Sequence, residues 1–265
     1  MIKNFLTLLL LAALALSLFA CAYTPQSPTP VGTEASSDTY GAETSAPSDT
    51  GEETQAPDTA NERKKRVHIM IDAGHGEIDP GAVVKYDGVT YKEKDINLSV
   101  ALLLRDELVF RGYTVFLARE DDSSLLHGRD NIEEIKARRT LAVEKETDFY
   151  ISLHCNSFDG ASRAYGPIIF YREKVSYKAK ALAEILKDSV TEGMKGYPDT
   201  RECRMTRDDD YAVLKTESMP TLLFEMGFLT DESDARQLLD TEWQRSLAIA
   251  IADGIDTLYE KKYID

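Results

Sequence analysis

From Val67 onward the chain alternates short apolar runs with helix-period segments, and this alternation constrains the fold more than any other feature. Val67–Asp72 is an almost continuous apolar run emptying into Ala73-Gly74-His75-Gly76, a strand feeding a glycine-rich loop. From Asp95, the residues Ile96, Val100, Leu103, Leu104 and Leu108 recur at helical spacing until Gly112. Tyr113–Leu117 reads as a second strand, 130–145 as a second helix, Phe149–His154 as a third strand, 167–171 as a weaker edge strand and 176–192 as a third helix. Thr221–Glu225 is the last strand. Two helices close the chain, the final one opening at a Thr241-x-x-Gln244 capping box and burying Trp243, Leu247, Ile251, Ile255 and Leu258. Apolar strands between amphipathic helices predict an α/β fold, a single three-layer αβα domain over 63–265 with a mostly parallel twisted sheet covered on both faces.

Ahead of this domain the composition changes twice. Residues 1–21 carry one cation, Lys3, and then run apolar from Phe5 to Ala20, too short for a stable span and patterned as a secretory signal peptide. The run ends Leu18-Phe19-Ala20-Cys21, which resembles the lipobox of bacterial lipoproteins and implies a lipid on Cys21, hence an exported, membrane-held protein. Residues 22–62 are rich in Ser, Thr and Pro, with eight carboxylates and no Lys or Arg. Such a stretch cannot bury enough apolar surface to offset its ordering entropy and is expected to be a disordered acidic tether, roughly 35 Å across as a flexible coil.

The net charge of −15 excludes the basic footprint that nucleic-acid binding needs. Three cysteines cannot form a disulfide framework, so core burial must hold the domain, which is expected to be a monomer.

In parallel sheets chemistry collects at the carboxyl ends of strands. Three predicted strand ends carry unusual polar groups: His75, His154 and Glu225. A carboxylate behind Leu222-Leu223-Phe224 is costly to bury without a partner, and a metal would supply one. Two histidines, one acid and an open position form the ligand set of catalytic zinc in several peptidases. Glu93, just ahead of the first helix, is the best third ligand; spacing alone leaves Asp72, Asp79, Asp87 and Asp95 as alternatives.

Five blocks carry a resemblance: Asp72-Ala73-Gly74-His75-Gly76, Asp79-Pro80-Gly81-Ala82, Glu93-Lys94-Asp95-Ile96-Asn97-Leu98, Ser152-Leu153-His154-Cys155-Asn156, and Leu223-Phe224-Glu225-Met226-Gly227-Phe228-Leu229-Thr230. In this order they resemble the motifs of zinc-dependent N-acetylmuramoyl-L-alanine amidases of the amidase-3 family, across about residues 67–260. The resemblance implies one zinc ion on His75, Glu93 and His154, with Glu225 as the catalytic acid/base. It also implies peptidoglycan as substrate, cut between the lactyl group of N-acetylmuramic acid and L-alanine. A catalytically silent peptidoglycan-binding module of the same fold, or a zinc peptidase acting on the stem peptide, are the alternative readings.

Glu77 stands where that family often has a second glycine, and would narrow the first loop or bring a charge to the metal. Ala142-Val143 replaces a usual Ala-Asn pair, and Cys155 adjoins a ligand; strand alternation turns its sulfur to the opposite face. Asp72, Asn97 and Asn156 are candidate supporting or substrate groups, and Arg119 with Arg138 or Arg139 are candidate partners for stem-peptide carboxylates, against a purely structural role for each. Some members of the family hold an inhibitory helix between the second histidine and the glutamate. Here those residues lie 71 positions apart, a span the predicted elements largely fill, so an open site is expected; the loop with Arg201, Arg204, Arg207 and Asp208-Asp209-Asp210 is a candidate flap.

Overall fold

The computed structural model describes residues 59–127, 131–160, 164–174, 177–216 and 218–265. The leader, Cys21 and nearly all of the tether lie outside these residues. The elements run α1 (Ala60–Lys64), β1 (His68–Ala73), β2 (Val83–Tyr86), β3 (Val89–Lys92), α2 (Glu93–Phe110), β4 (Thr114–Leu117), α3 (Asn131–Glu144), β5 (Phe149–Asn156), β6 (Ile168–Tyr171), α4 (Tyr177–Gly193), β7 (Arg204–Arg207), a 3-10 turn at Ala212–Leu214, β8 (Thr221–Phe228), α5 (Glu232–Leu238) and α6 (Thr241–Glu260).

The main sheet has the order β4-β1-β5-β8-β6-β7, and β4, β1, β5 and β8 are parallel neighbours. The expectation of a mostly parallel three-layer domain holds, with one antiparallel pair, β6 against β8. β6 is not the edge strand: β7 pairs parallel to it and takes the edge. β7 reads Arg-Met-Thr-Arg and is largely exposed, so it has no apolar run to announce it. Of the arginines expected in a flap, Arg204 and Arg207 therefore belong to a sheet edge, where Arg207 pairs with Asp209 at 2.7 Å, while Arg201 precedes the strand and stacks over Tyr165.

The two faces of the sheet are covered unequally. Ile69, Ile71, Phe149, Ile151, Leu153, Leu222 and Phe224 point to one side and pack with Val100, Leu104 and Leu108 of α2, Leu182 and Leu186 of α4, and Leu247, Ile251 and Ile255 of α6. The other face, with Met70, Tyr150 and Leu223, is met by α3 and the 3-10 turn, through Ala142, Val213 and Leu214. Helix α6 starts one residue earlier than the capping box requires. Its cap is Asp240, whose carboxylate accepts from the Trp243 N–H, while Gln244 donates to Leu238 O and accepts from Ser99.

At the amino edge of β1 and β4, α1 opens on a capping box formed by Thr59 and Glu62. Lys64 of α1 pairs with Asp256 of α6, a carboxylate that also accepts from Tyr113 at 2.7 Å and Arg111 at 2.8 Å.

Candidate functional site

On the thinner face the side chains change from apolar to polar as each parallel strand nears its carboxyl end. β1 goes from Met70 to Asp72, β5 from Tyr150 through Ser152 to His154, and β8 from Leu223 to Glu225. His154 and Glu225 are paired across β5 and β8, so they share that face. The cleft beyond them, about 220 Å³, is walled by Ile78, Ile135, Tyr211 and Val213 and floored by Asp72, Ser152, His154 and Glu225.

His75 leaves the end of β1 with φ +64°, and its Nδ1 lies 2.8 Å from Asp79 Oδ2. Glu93 is delivered by the β2–β3 hairpin, which turns at Asp87-Gly88, both at positive φ, and hands the chain directly to α2. Its Oε1 is the meeting point of the site: His75 Nε2 stands at 3.0 Å and His154 Nδ1 at 2.9 Å. The same oxygen accepts from the Cys155 N–H at 3.1 Å and Asn97 Nδ2 at 3.3 Å, while Oε2 accepts from the Ala82 N–H at 2.8 Å. Burial disfavours the Glu93 carboxylate, yet the hydrogen bonds from His154 and His75 hold its pKa well below the usual range. Burial also opposes charge on His75, but Glu93 and then Asp79 outweigh it and raise its pKa to about 9. His75, Glu93 and His154 each offer one donor atom, all within 4.8 Å of one another, and they are the group that could hold a metal ion among the described residues.

Two glycines make room for this convergence. A Cβ on Gly74 would stand 2.2 Å from the His154 ring, and one on Gly81 would stand 2.5 Å from Glu93 Oε2 and 2.6 Å from the His75 ring. Glu225 is 8% exposed and its Oε2 has no hydrogen-bond partner among the described residues. Burial pushes its pKa up to about 7.

The remaining expected residues fall elsewhere. Asp79 stands behind His75 rather than beside Glu93, Asp87 sits in the hairpin turn, and Asp95 is exposed on α2. Asp72 is buried, accepting from Arg138 at 2.8 Å and from Tyr150 and Ser152 at 2.8 Å each. Glu77 accepts from Ser124 at 2.6 Å and so turns toward the rim. Cys155 is buried on the opposite face of β5, its sulfur 3.5 Å from Asn97 Oδ1, and burial pushes its thiol pKa far up. Asn156 accepts from the Ser157 N–H in a local turn.

The arginines weighed as partners for substrate carboxylates take the structural alternative and bond within the protein. Arg119 and Arg138 are each 4% exposed. Arg138 donates to Asp72, Glu134 and the carbonyls of Ala73 and His75; Arg139 binds Thr216 at 3.0 Å and Ala212 O at 3.2 Å, fixing the 3-10 turn that walls the cleft. The span between His154 and Glu225 is occupied, among the described residues, by β6, α4, β7 and the 3-10 turn.

Fold and site together define a class: a mostly parallel α/β domain with a His–Glu–His donor cluster and a buried glutamate at its carboxyl edge. A family model described as N-acetylmuramoyl-L-alanine amidase matches residues 69–257. The chain is 33% identical over 194 residues to a Bacillus subtilis protein, YqiI, covering 73% of this chain and 85% of that one. It is 30% identical over 200 residues to the germination-specific N-acetylmuramoyl-L-alanine amidase of B. subtilis, covering 73% and 80%. A crystal structure of an N-acetylmuramoyl-L-alanine amidase from Clostridium difficile 630 superposes with TM-score 0.65 at 28% identity, covering 75% of this chain and 99% of that one. The chain belongs to the N-acetylmuramoyl-L-alanine amidase family, as the five blocks led us to expect.

Proposed function

We propose that this chain is a zinc-dependent hydrolase of bacterial peptidoglycan, cutting the amide between the lactyl group of N-acetylmuramic acid and L-alanine. The carrying observation is the convergence of two imidazoles on one Glu93 oxygen in the cleft that also contains the unpartnered Glu225 Oε2. Ligands about 2.0–2.1 Å from a tetrahedral zinc stand roughly 3.3 Å apart; the two histidine–Glu93 separations, 3.0 and 2.9 Å, are close to this and all three donors lie within 4.8 Å of one another, a cluster of the right chemistry and size for the ion. Zinc bound there supplies Lewis acidity, polarising the amide carbonyl and acidifying the attacking water.

The protein supplies the rest. His75, Glu93 and His154 fix the reacting centre at the cleft floor, with Asp79 holding the His75 ring from behind. Glu225 has a free oxygen and a pKa raised to about 7, which suits a base near neutral pH. It takes the proton from the attacking water and returns it to the nitrogen of the departing L-alanine, so one carboxylate serves both halves of the reaction. Ile135 and Val213 line the same cleft, and Glu225 itself is 8% exposed.

Export, a lipid on Cys21, a tether over 22–62 and a monomeric catalytic domain over 63–265 complete the reading. It is supported by the apolar leader, the lipobox-like Leu18-Phe19-Ala20-Cys21 and the composition of the following segment. The deciding experiment digests purified peptidoglycan with the zinc-loaded protein and identifies the products by mass spectrometry. Stem peptides with a new L-alanine amino terminus are expected, and they should vanish on chelation. Cleavage within the stem peptide would replace this reading with a peptidase, and binding without cleavage would replace it with a silent module.

A further inference from the structure

Arg119 leaves the end of β4, outside the five blocks that carry the family resemblance, and its guanidinium is buried with no carboxylate hydrogen-bonded to it among the described residues. It donates only to main-chain carbonyls: Nε to Ala73 O at 2.8 Å, one terminal nitrogen to Asp121 O at 2.8 Å, and the other to Gly74 O at 3.1 Å and Lys94 O at 2.7 Å. Those last two acceptors decide the matter. Gly74 precedes His75 and Lys94 follows Glu93, so a single nitrogen atom ties together the two segments that carry the first two donors of the cluster.

We infer that Arg119 is the positioning residue that sets the His75–Glu93 spacing and so the affinity of the site for its metal. The inference rests on the zinc reading above. Burying a cation among carbonyl dipoles is costly compared with a neutral residue of equal volume, so the arrangement is poorly explained by stability alone. A planar guanidinium presents five donors in a fixed fork, whereas a lysine ammonium cannot span Ala73, Gly74 and Lys94 in one rigid geometry. Of the other ties to this loop, Arg138 holds Ala73 O and His75 O toward Asp72 and α3. Asn97 also bridges the two segments, from within α2 to Gly74 O and to Glu93 Oε1 at 3.3 Å each. Arg119 makes the shorter bridge, 2.7 Å to Lys94 O and 3.1 Å to Gly74 O, and makes it from a third segment that belongs to neither.

The test measures zinc affinity by competition with a chromophoric chelator, beside thermal unfolding of the metal-free protein, for wild type, Arg119→Lys, Arg119→Met and Arg111→Met. Arg111, bonded to Glu107, Asp253 and Asp256 at the far edge, controls for loss of a structural ion-pair network. Loss of an outer-shell partner typically costs 10–100-fold in metal affinity. We expect that loss in Arg119→Met, a smaller one in Arg119→Lys, and none in Arg111→Met despite its lower unfolding temperature. Zinc affinity in a folded Arg119 variant within twofold of wild type, or an equal loss in Arg111→Met, overturns the inference while leaving the zinc reading intact. If Arg119→Met does not fold, Arg119→Lys decides on the same criterion. A wild-type protein that binds no zinc overturns both.

Discussion

Gly81 and Gly88 form a matched pair that separates backbone strain from damage to the metal site. Both occupy the left-handed region, at φ +63° and +81°, so an alanine at either costs roughly 1–2 kcal/mol through its backbone. Around Gly88 a new Cβ meets nothing within 4 Å. At Gly81 it stands 2.5 Å from Glu93 Oε2, 2.6 Å from the His75 ring and 2.9 Å from Glu93 Cβ, so two ligands must retreat by about 1 Å to reach ordinary carbon contact distances. Gly81→Ala should therefore cost the fold more than Gly88→Ala, by the work of displacing those two side chains, and in addition lose about 10–100-fold in zinc affinity. At fixed saturating zinc, a 100-fold weaker affinity removes about 2.7 kcal/mol of ligand-derived stabilisation. The assay is thermal unfolding of both variants with and without zinc, together with chelator competition. Metal-free Gly81→Ala should unfold below metal-free Gly88→Ala, and the zinc-induced rise should be small only in Gly81→Ala. Equal zinc affinities for the two variants would refute the argument that Gly81 is there to make room for His75 and Glu93.

Glu225→Gln should retain stoichiometric zinc and lose on the order of 10²- to 10⁴-fold in turnover, measured as release of stem peptide from purified peptidoglycan. Near-normal turnover would assign the base elsewhere. The same substitution should stabilise the metal-free protein above pH 7. The Glu225 pKa is raised by folding from 4.5 to about 7, so its neutral form favours the fold fully below 4.5, and that contribution is lost as pH rises through 7. Calorimetry at pH 5 and pH 8 should show the gap between variant and wild type widening at the higher pH; a constant gap would deny the raised pKa. Cys21→Ala should move the protein out of the membrane fraction, and a mature protein starting elsewhere without lipid would refute the anchor.

What was legible in the sequence is what burial writes there. β1, β5 and β8 are nearly continuous apolar runs because both faces are covered, and His75, His154 and Glu225 stood out because they end those runs. β7 was hidden because an edge strand of Arg-Met-Thr-Arg needs no apolar run. The β2–β3 hairpin left a readable signal in Asp87-Gly88, and its strands, half or more exposed, were too short to support it. The final helix's cap was misplaced by one residue because Asp240 and Thr241 are both competent caps. Arg119 and Arg138 were candidates for substrate carboxylates against a structural role; the choice was not legible because main-chain carbonyls, which satisfy all of Arg119 and part of Arg138 beside Asp72 and Glu134, leave no mark in the sequence.

The docking of α1 at the amino edge has a mechanical consequence. The chain enters there, against Gly112 and Asp256, and β1 then runs six residues, about 20 Å, before reaching the ligand loop at the opposite edge. A pull applied ahead of Thr59 is first carried by the Lys64–Asp256 pair and then enters β1 along its axis. Because β1 is hydrogen-bonded to β4 on one side and β5 on the other, that pull loads two parallel ladders in shear, and both must yield together before the strand slides. The cleft is thus at the unloaded end of the strand, and a domain restrained at its rear can be drawn taut while His75 and its neighbours keep their geometry.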